Sequence, residues 1–599
     1  MITGIAIENF KGISDRIELE FKPITLLFGS NSAGKSSVLH ALHYLREIFV
    51  NGNVDAVDSE IGGEFVDLGG LPHMIHGRDR NSQMRFRISA TVDFKEHEHN
   101  SELKYQYYPD MLDYSSYQRL QLTPDLLGQL KRRCTDDSNE SLPYWNGLWF
   151  REPIRTVDVD VVVKEGKIDL YSVWINNEFV GEIKLGKAGI PLLVRLNSNH
   201  PVIPTHFWKV EDVDEYDYEL LSLPGEIEGL DDDWDPRIEQ RALAELKRVS
   251  DRILKPNNAN ENGISWAQNA LNEFESEDPG DGKEWGFFVN GCTNGGLPPL
   301  ESPIYPGNVH ADFLSFSEAS NTLMLYADVL MGFPGRVIRN GLNDFLHLGP
   351  IRDLHRHESP LTRHELNDWS SGTAAWTVLE KSDDLLVDKV SDWLSSEKKL
   401  SSGFRIERKN FYVVAEEDLE AFVETLNDPG QTTGEALPKS SRKARTRILK
   451  QDGNLMMRPH DLGVGISQVL PVVVMALHDE KRLLLFEQPE LHLHPRMQAE
   501  LGDLFIESAL GETSHSVVIE THSEHLILRL LRRIRETEKG NAPPEFQLRT
   551  DQIAIYYLDG REGATKACRI DVDVEGRFIQ PWPDDFFEID FRERFPDVR

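Results

Sequence analysis

The sequence predicts an α/β protein whose core is built from the two ends of the chain and split by a long α+β insertion. Three observations predict it. A strand, a glycine-bearing loop and an amphipathic helix follow one another over residues 23 to 49. Continuous apolar runs return late in the chain, as RLLLF, HSVVIE and QIAIYYL between residues 482 and 558, and such runs mark strands covered on both faces. Between them, from about residue 84 to residue 300, short β-like runs, many turns and an acidic stretch replace that pattern.

RIELEF, residues 16 to 21, alternates polar with apolar and puts Ile17, Leu19 and Phe21 on one face of a half-buried strand. PITLLF is a second strand, and KSSVLHALHYLREIF carries Val38, Leu39, Leu42, Leu45, Ile48 and Phe49 at helical spacing. MRFRISATVDF and VDVDVVV read as further strands, and the acid run Glu211 to Asp235 as a solvated loop. PRIEQRALAELKRVSDRILK and FSEASNTLMLYADVLMGFPGRVIRNGLNDFL read as helices. KSSRKARTRILK, residues 439 to 450, is the densest basic patch; it reads either as a solvated hairpin or loop or as a contact for nucleic acid or an acidic partner. QVLPVVVMAL is a buried helix or strand by the same criteria.

The 599 residues are enough to bury a full core. Cys134, Cys292 and Cys568 are far apart and form no CxxC pair, which argues against a disulfide framework or thiolate zinc site. No apolar window approaches the roughly 18 residues of a membrane span, and the first residues lack a signal-peptide layout. The expected location is the cytoplasm. A net charge of -35 disfavours nucleic acid as a partner without excluding it, since a local basic face can exist on an acidic whole.

GSNSAGKS, residues 29 to 36, fits GxxxxGK[ST] between a strand and a helix. In that setting the backbone N–H groups of Gly29, Ser30, Asn31, Ser32, Ala33, Gly34, Lys35, Ser36 and Ser37 converge on phosphates at a helix start. Lys35 is expected to reach the β and γ phosphates and Ser36 to ligate Mg2+. RLLLF ends at Glu487, a carboxylate at the exit of a buried strand, which makes it the second candidate for Mg2+. His492 and His494 flank Leu493, but no suitable third ligand beyond Glu490 supports zinc. The DVD at 571 to 573 reads as part of an ordinary strand.

IENFKGI, GSNSAGKS, GVGISQ at 463 to 468, EQPELHLHP at 487 to 495 and ETHSEHL at 520 to 526 together resemble the ABC-type ATPases of the OLD, RecF and SMC group. The ending GRFIQPWPDDFFEIDFRERF is similar to the short tail of one branch linked to anti-phage defence. The resemblance implies an ATPase head, a mixed sheet with an antiparallel lobe, that closes with a second copy around ATP and Mg2+. On that basis residues 1–95 are expected to form the first half of the head, 96–345 the insertion, 346–545 the second half and 546–599 a tail domain. It places Gly465, Ser467 and Gln468 at a signature motif, with Ser467 opening a helix toward the γ phosphate of a second subunit. His522 takes the switch-histidine position.

Where most relatives carry a catalytic glutamate, this chain has Gln488. An amide accepts no proton, so weak or conditional turnover is expected, with Gln488 orienting water and Glu490 as substitute base. OLD proteins carry a Toprim nuclease after the head, whereas 77 residues follow His522 here. The expected partner is therefore a separate effector chain, a nuclease or toxin, as in the Septu and PARIS systems. The alternative is a DNA-repair or chromosome-maintenance clamp using KSSRKARTRILK and RLLRRIRE against phosphates.

Overall fold

A computed structural model of the chain describes residues 1–55, 66–92, 144–145, 148–149, 154–186, 189–197, 200, 287–290, 292–300, 305–306, 328–353, 368–412, 442–452, 455–457, 462–561 and 563–582. The acid run 211–235, the helix expected at 236–255 and the last part of the tail lie outside the described residues. The chain divides into two compact units. One comprises Met1–Phe10, Leu42–Gly63 and Leu68–Asn343, the other Lys11–Ala41, Glu64–Asp67 and Asp344–Arg599.

The first unit holds an antiparallel sheet in which Ile2–Glu8 pairs with Met84–Thr91, and that strand with Thr156–Lys164. Lys167–Ile175, Glu178–Leu185 and Pro191–Leu196 continue it as hairpins. Strands expected in the insertion thus share one sheet with strands of the first 95 residues, so the boundary expected near residue 95 does not divide the fold. VDVDVVV forms its strand with both aspartates buried, each against an arginine of the neighbouring strand: Asp160 with Arg85 at 2.8 Å and Asp158 with Arg87 at 3.3 Å. Buried carboxylates persist here because they are paired.

In the second unit six strands are ordered β2-β3-β4-β1-β5-β6: β1 is Ile24–Gly29, β2 Leu346–Leu348, β3 Leu483–Glu487, β4 Ser516–Glu520, β5 Ile553–Asp559 and β6 Lys566–Arg569. The first five are parallel and β6 is antiparallel. This confirms the parallel core joined from both chain ends; the antiparallel sheet belongs to the first unit. Every residue of β1, β3 and β4 is buried, as their unbroken apolar runs require. QIAIYYL, counted with the tail domain, is the core strand β5 beside the loop-bearing strand.

Helix α1 (Lys35–Arg46) leaves the phosphate loop; α2 (Val464–Ala476), α3 (Pro495–Leu510) and α4 (Glu524–Glu538) follow later. QVLPVVVMAL is therefore helical, and its side chains are buried almost throughout. KSSRKARTRILK contributes the strand Arg442–Lys450, paired with Phe404–Tyr412. Two of the four arginines of RLLRRIRE, Arg529 and Arg533, are committed inside the fold, while Arg532 and Arg535 are exposed. Asp503 on α3, 1% exposed, accepts from Arg529 at 2.5 Å and from Arg533 at 2.6 Å, and Glu500 also binds Arg529. The DNA-clamp expectation placed Arg529 and Arg533 against phosphates; their charges instead join α3 to α4. The DVD forms no strand run: Asp573 receives N–H bonds from Glu575 and Arg577 and closes a turn.

Candidate nucleotide-binding site

The parallel strands β1, β3 and β4 all end on the same edge, where this class of sheet binds ligands. Between β1 and α1 the loop turns through left-handed backbone at Ser32 (φ 62°) and Gly34 (φ 95°), which lets successive N–H groups face one concavity. Ser30, Asn31 and Ser32 are exposed at its mouth, while Ala33 and Lys35 are buried. The loop is backed by the C-terminal segment. A Cβ on Gly34 would lie 2.3 Å from Thr565 Oγ1, and one on Gly29 2.2 Å from the Leu558 carbonyl oxygen. Both glycines are thus required by packing as well as by backbone approach.

Lys35 Nζ donates to the Gly29 and Ser30 carbonyls at 3.2 and 2.9 Å and lies 4.0 Å from Glu520 Oε1. Ser36 Oγ donates to Glu520 Oε2 at 2.8 Å. Glu520 ends β4, directly in register with Glu487 at the end of β3, so the sheet sets two carboxylates side by side. Burial, followed by repulsion from Glu487, pushes Glu520 up to about 7. Glu487 goes the other way. Burial would raise it, but His347 Nε2 at 3.0 Å, with the charges of His347, His40 and Lys11, outweighs that and holds it below the usual carboxylate range. Lys11 in turn contacts His40 Nδ1 at 2.7 Å.

His522 stands just past β4. Its backbone N–H donates to Glu490 Oε1 at 2.7 Å, and its buried Nε2 has no hydrogen-bond partner among the described residues. Burial, helped by the Lys35 ammonium, drops His522 to about 4, so the ring is neutral at physiological pH. Burial raises the Glu490 carboxyl. Gln488 adopts left-handed backbone (φ 43°), with its N–H on the Glu520 carbonyl at 2.8 Å. A non-glycine residue held there marks a constrained turn at the strand exit.

The signature segment differs from expectation. The helix opens at Val464 behind Gly463, whose extended backbone (φ -59°, ψ 144°) caps it without a side chain. Ser467 lies one turn in, 4% exposed, and its hydroxyl donates to the Val464 carbonyl at 2.8 Å. Gly465 approaches the His492 carbonyl so closely that a Cβ would lie 3.1 Å from it. Gln468, expected at a nucleotide, uses both amide atoms on the Arg352 backbone, accepting from its N–H at 3.2 Å and donating to its carbonyl at 2.8 Å.

Sequence reasoning missed Glu520, His347 and Arg352. For Glu520 the signal was present: like Glu487, it is the acidic end of a continuous apolar strand. His347 and Arg352 sit in a stretch without a motif, and only folding brings them to the β3 exit. The donor set fits a nucleotide with Mg2+: an anion-facing loop, a buried ammonium, a hydroxyl and carboxylates. Mg2+ keeps several waters and takes few protein ligands. Among the described residues no group of three or more His, Cys, Asp or Glu could hold a metal by itself, His492 and His494 included.

These shifts predict a pH dependence. His40, His515 and His522 drop from the usual 6.5 to about 4, and His478 is also lowered, all mainly through burial. Between those values the unfolded chain binds protons that the folded chain refuses, so stability falls as the pH falls. Glu520 and Glu490, raised from 4.5, act oppositely. Four groups against two, the nucleotide-free protein is expected to lose Tm from pH 6.5 toward 4.5; a Tm that rises over this range contradicts the assignment.

Residues 1–107 and 373–527 match the family model described as AAA ATPase domain. The match includes the phosphate loop, the Gly463 helix start, Glu487 and His522. The DNA replication and repair protein RecF of Chlorobium luteolum (strain DSM 273 / BCRC 81028 / 2530) is 31% identical over 112 residues. The aligned part is 16% of this chain and 29% of that relative, so the chain spans less than a third of the relative's length. Among solved structures, the Smc head domain with an extended coiled coil bound to the C-terminal domain of ScpA, derived from Pyrococcus furiosus, is 11% identical with a TM-score of 0.32, covering 95% of this chain and 96% of that one. The SMC head domain from Thermotoga maritima is 7% identical with a TM-score of 0.30, covering 96% and 99%. No helix among the described residues is long and apolar enough to cross a membrane.

Proposed function

We propose that the chain binds ATP with Mg2+ at the Lys35 loop, hydrolyses it slowly, and closes with a second copy around the nucleotides. One convergence supports the reading: Lys35, Ser36, Glu487 and the neutral Nε2 of His522, which has no partner among the described residues, meet at one edge of the sheet. The loop N–H groups and Lys35 would neutralise phosphate charge, Ser36 and Glu487 would hold Mg2+, and His522 Nε2 would hydrogen-bond the terminal phosphate. The nucleotide supplies the phosphoryl group; the chain supplies position and charge. The exposed start of α2, with Val464 60% exposed, would be the surface for the second copy's phosphates, through N–H groups at the helix start rather than the buried Ser467 hydroxyl.

Slow turnover follows from Gln488. Its amide can orient water but cannot take its proton, and Glu490 has one oxygen engaged by the His522 N–H. Gln488→Glu is expected to raise turnover by about tenfold or more, part of the 10²–10⁴ that a general base contributes. Steady-state phosphate release measures it, and an unchanged rate removes the amide as the brake. Light scattering with and without Mg2+ and ATP tests the closure. A chain that stays the same size with bound nucleotide contradicts it.

A long-lived ATP-bound dimer would suit a switch that controls a separate effector, nuclease or toxin, in anti-phage defence; this step rests on the resemblance alone. A DNA clamp is the second reading, favoured by the identity to a relative named for DNA replication and repair. Against it stand the net charge of -35 and the internal pairing of Arg529 and Arg533. Duplex binding that weakens steeply with salt would favour the clamp. ATP-dependent co-purification of a protein encoded beside this chain would favour the switch.

A further inference from the structure

We infer that Glu520 is a metal-positioning residue: by accepting the Ser36 hydroxyl proton it aims that oxygen's lone pairs at Mg2+, dividing with Glu487 a task that one acidic side chain would otherwise perform. The inference rests on the ATP reading above and deepens it. β4 lies between the loop strand β1 and the strand β3 that carries Glu487. Glu520 is therefore the strand-end carboxylate nearer to α1, and its Oε2 is the one 2.8 Å from Ser36 Oγ. Glu487, one strand further away, is turned onto His347 at 3.0 Å.

A serine hydroxyl has one proton and two lone pairs. With the proton committed to Glu520, both lone pairs remain for a hard cation, which takes oxygen ligands. Without that acceptor the hydroxyl is free to turn its proton toward the cation. Glu520 is 3% exposed, next to a second buried carboxylate and 4.0 Å from the Lys35 ammonium. Holding two carboxylates side by side out of water is costly unless cationic charge completes the site. A purely structural tie between β4 and α1 would not need the second charge, since an amide of the same shape supplies an acceptor.

The test is the affinity of the purified chain for a fluorescent ATP analogue, measured in Mg2+ and in EDTA, for wild type, Glu520→Ala, Glu520→Gln, Ser36→Ala and the Glu520→Ala/Ser36→Ala pair. Glu520→Ala is expected to weaken binding in Mg2+ by about tenfold or more, the value of one charge-assisted hydrogen bond, with no loss in EDTA. The double variant should be no worse than Ser36→Ala, because one residue acts through the other. Glu520→Gln, retaining an acceptor oxygen, should recover part of the loss. Equal losses in Mg2+ and EDTA, additive losses in the double variant, or wild-type binding by Glu520→Ala each overturn the inference. Wild-type chain that shows no Mg2+-dependent binding, or binding untouched by Lys35→Ala, sinks the ATP reading instead.

Discussion

Lys35→Ala is expected to abolish measurable ATP binding while leaving the chain folded. Its ammonium is 4% exposed, reaches the Gly29 and Ser30 carbonyls across the loop mouth, and is the cation 4.0 Å from Glu520. Contacts from such a group to phosphate oxygens are charge-assisted, worth about 1.5–3 kcal/mol each. Two of them correspond to roughly 10²- to 10⁴-fold in affinity. Burial lowers the Lys35 pKa, with Glu520 and Glu490 opposing that shift. Removing the ammonium leaves the buried Glu520 without its neighbouring cation, but that carboxyl, already pushed up to about 7, can take up a proton instead, which limits the cost to the nucleotide-free fold. Calorimetric titration with Mg2+ and ATP, beside an unfolding curve of the free protein, reads both halves. A variant that binds ATP within a few-fold of wild type refutes the assignment of the loop.

The second large effect is expected at Arg352, where Arg352→Ala should unfold the second unit more readily by about 3–5 kcal/mol, the usual cost of removing one partner from a buried charged network. Its guanidinium is 2% exposed and donates to three carbonyls: Gln468 at 3.1 Å, Glu487 at 3.0 Å and Gln488 at 3.1 Å. Burial pulls Arg352 down to about 10, with Glu490 and Glu487 holding it up, so it remains charged at neutral pH. Truncation leaves three acceptors at α2 and the β3 exit without their donor and removes one cation from beside Glu490 and Glu487. Against a typical domain stability of about 5–15 kcal/mol this is a large fraction. Arg352→Lys should recover little, since one ammonium cannot reproduce the planar fork that spans α2 and the β3 exit. Denaturant unfolding checks it, and a loss below about 1 kcal/mol, the range of an ordinary surface change, would show that the bridge is unimportant.

Arg352 also links two motifs that the sequence shows only as separate words. GVGISQ and LLLFEQPE are joined because the Gln468 side chain clamps the Arg352 backbone while the Arg352 side chain holds the carbonyls of Glu487 and Gln488. A shift of α2 would therefore be felt at the turn carrying Gln488.

The legible parts of this protein were those whose physics is local. Period and apolar continuity marked β1, β3, β4 and β5, and the glycine spacing of residues 29 to 36 marked an anion-facing turn before a helix. The position of Glu487 at a strand exit was legible from its apolar run, whereas His522 was singled out by the resemblance. The resemblance had Ser467 opening a helix, whereas the helix begins three residues earlier, at Val464, with Gly463 capping it by backbone angle alone. In RLLRRIRE the sequence alone does not tell Arg529 and Arg533, which face Asp503, from Arg532 and Arg535, which face solvent.

By itself, then, the chain's order of residues determined the strands, the phosphate loop and the residue at each strand exit, because hydrogen-bond period and side-chain burial act over a few neighbours. Only the tertiary structure decided which carboxylate holds Ser36, which histidine holds Glu487 and where the arginines go. Ser36 and Glu520 lie 484 residues apart and His347 and Glu487 140, brought together by strand order and register, while Arg533 and Asp503, only 30 apart, meet because two helices pack; no local pattern encodes either.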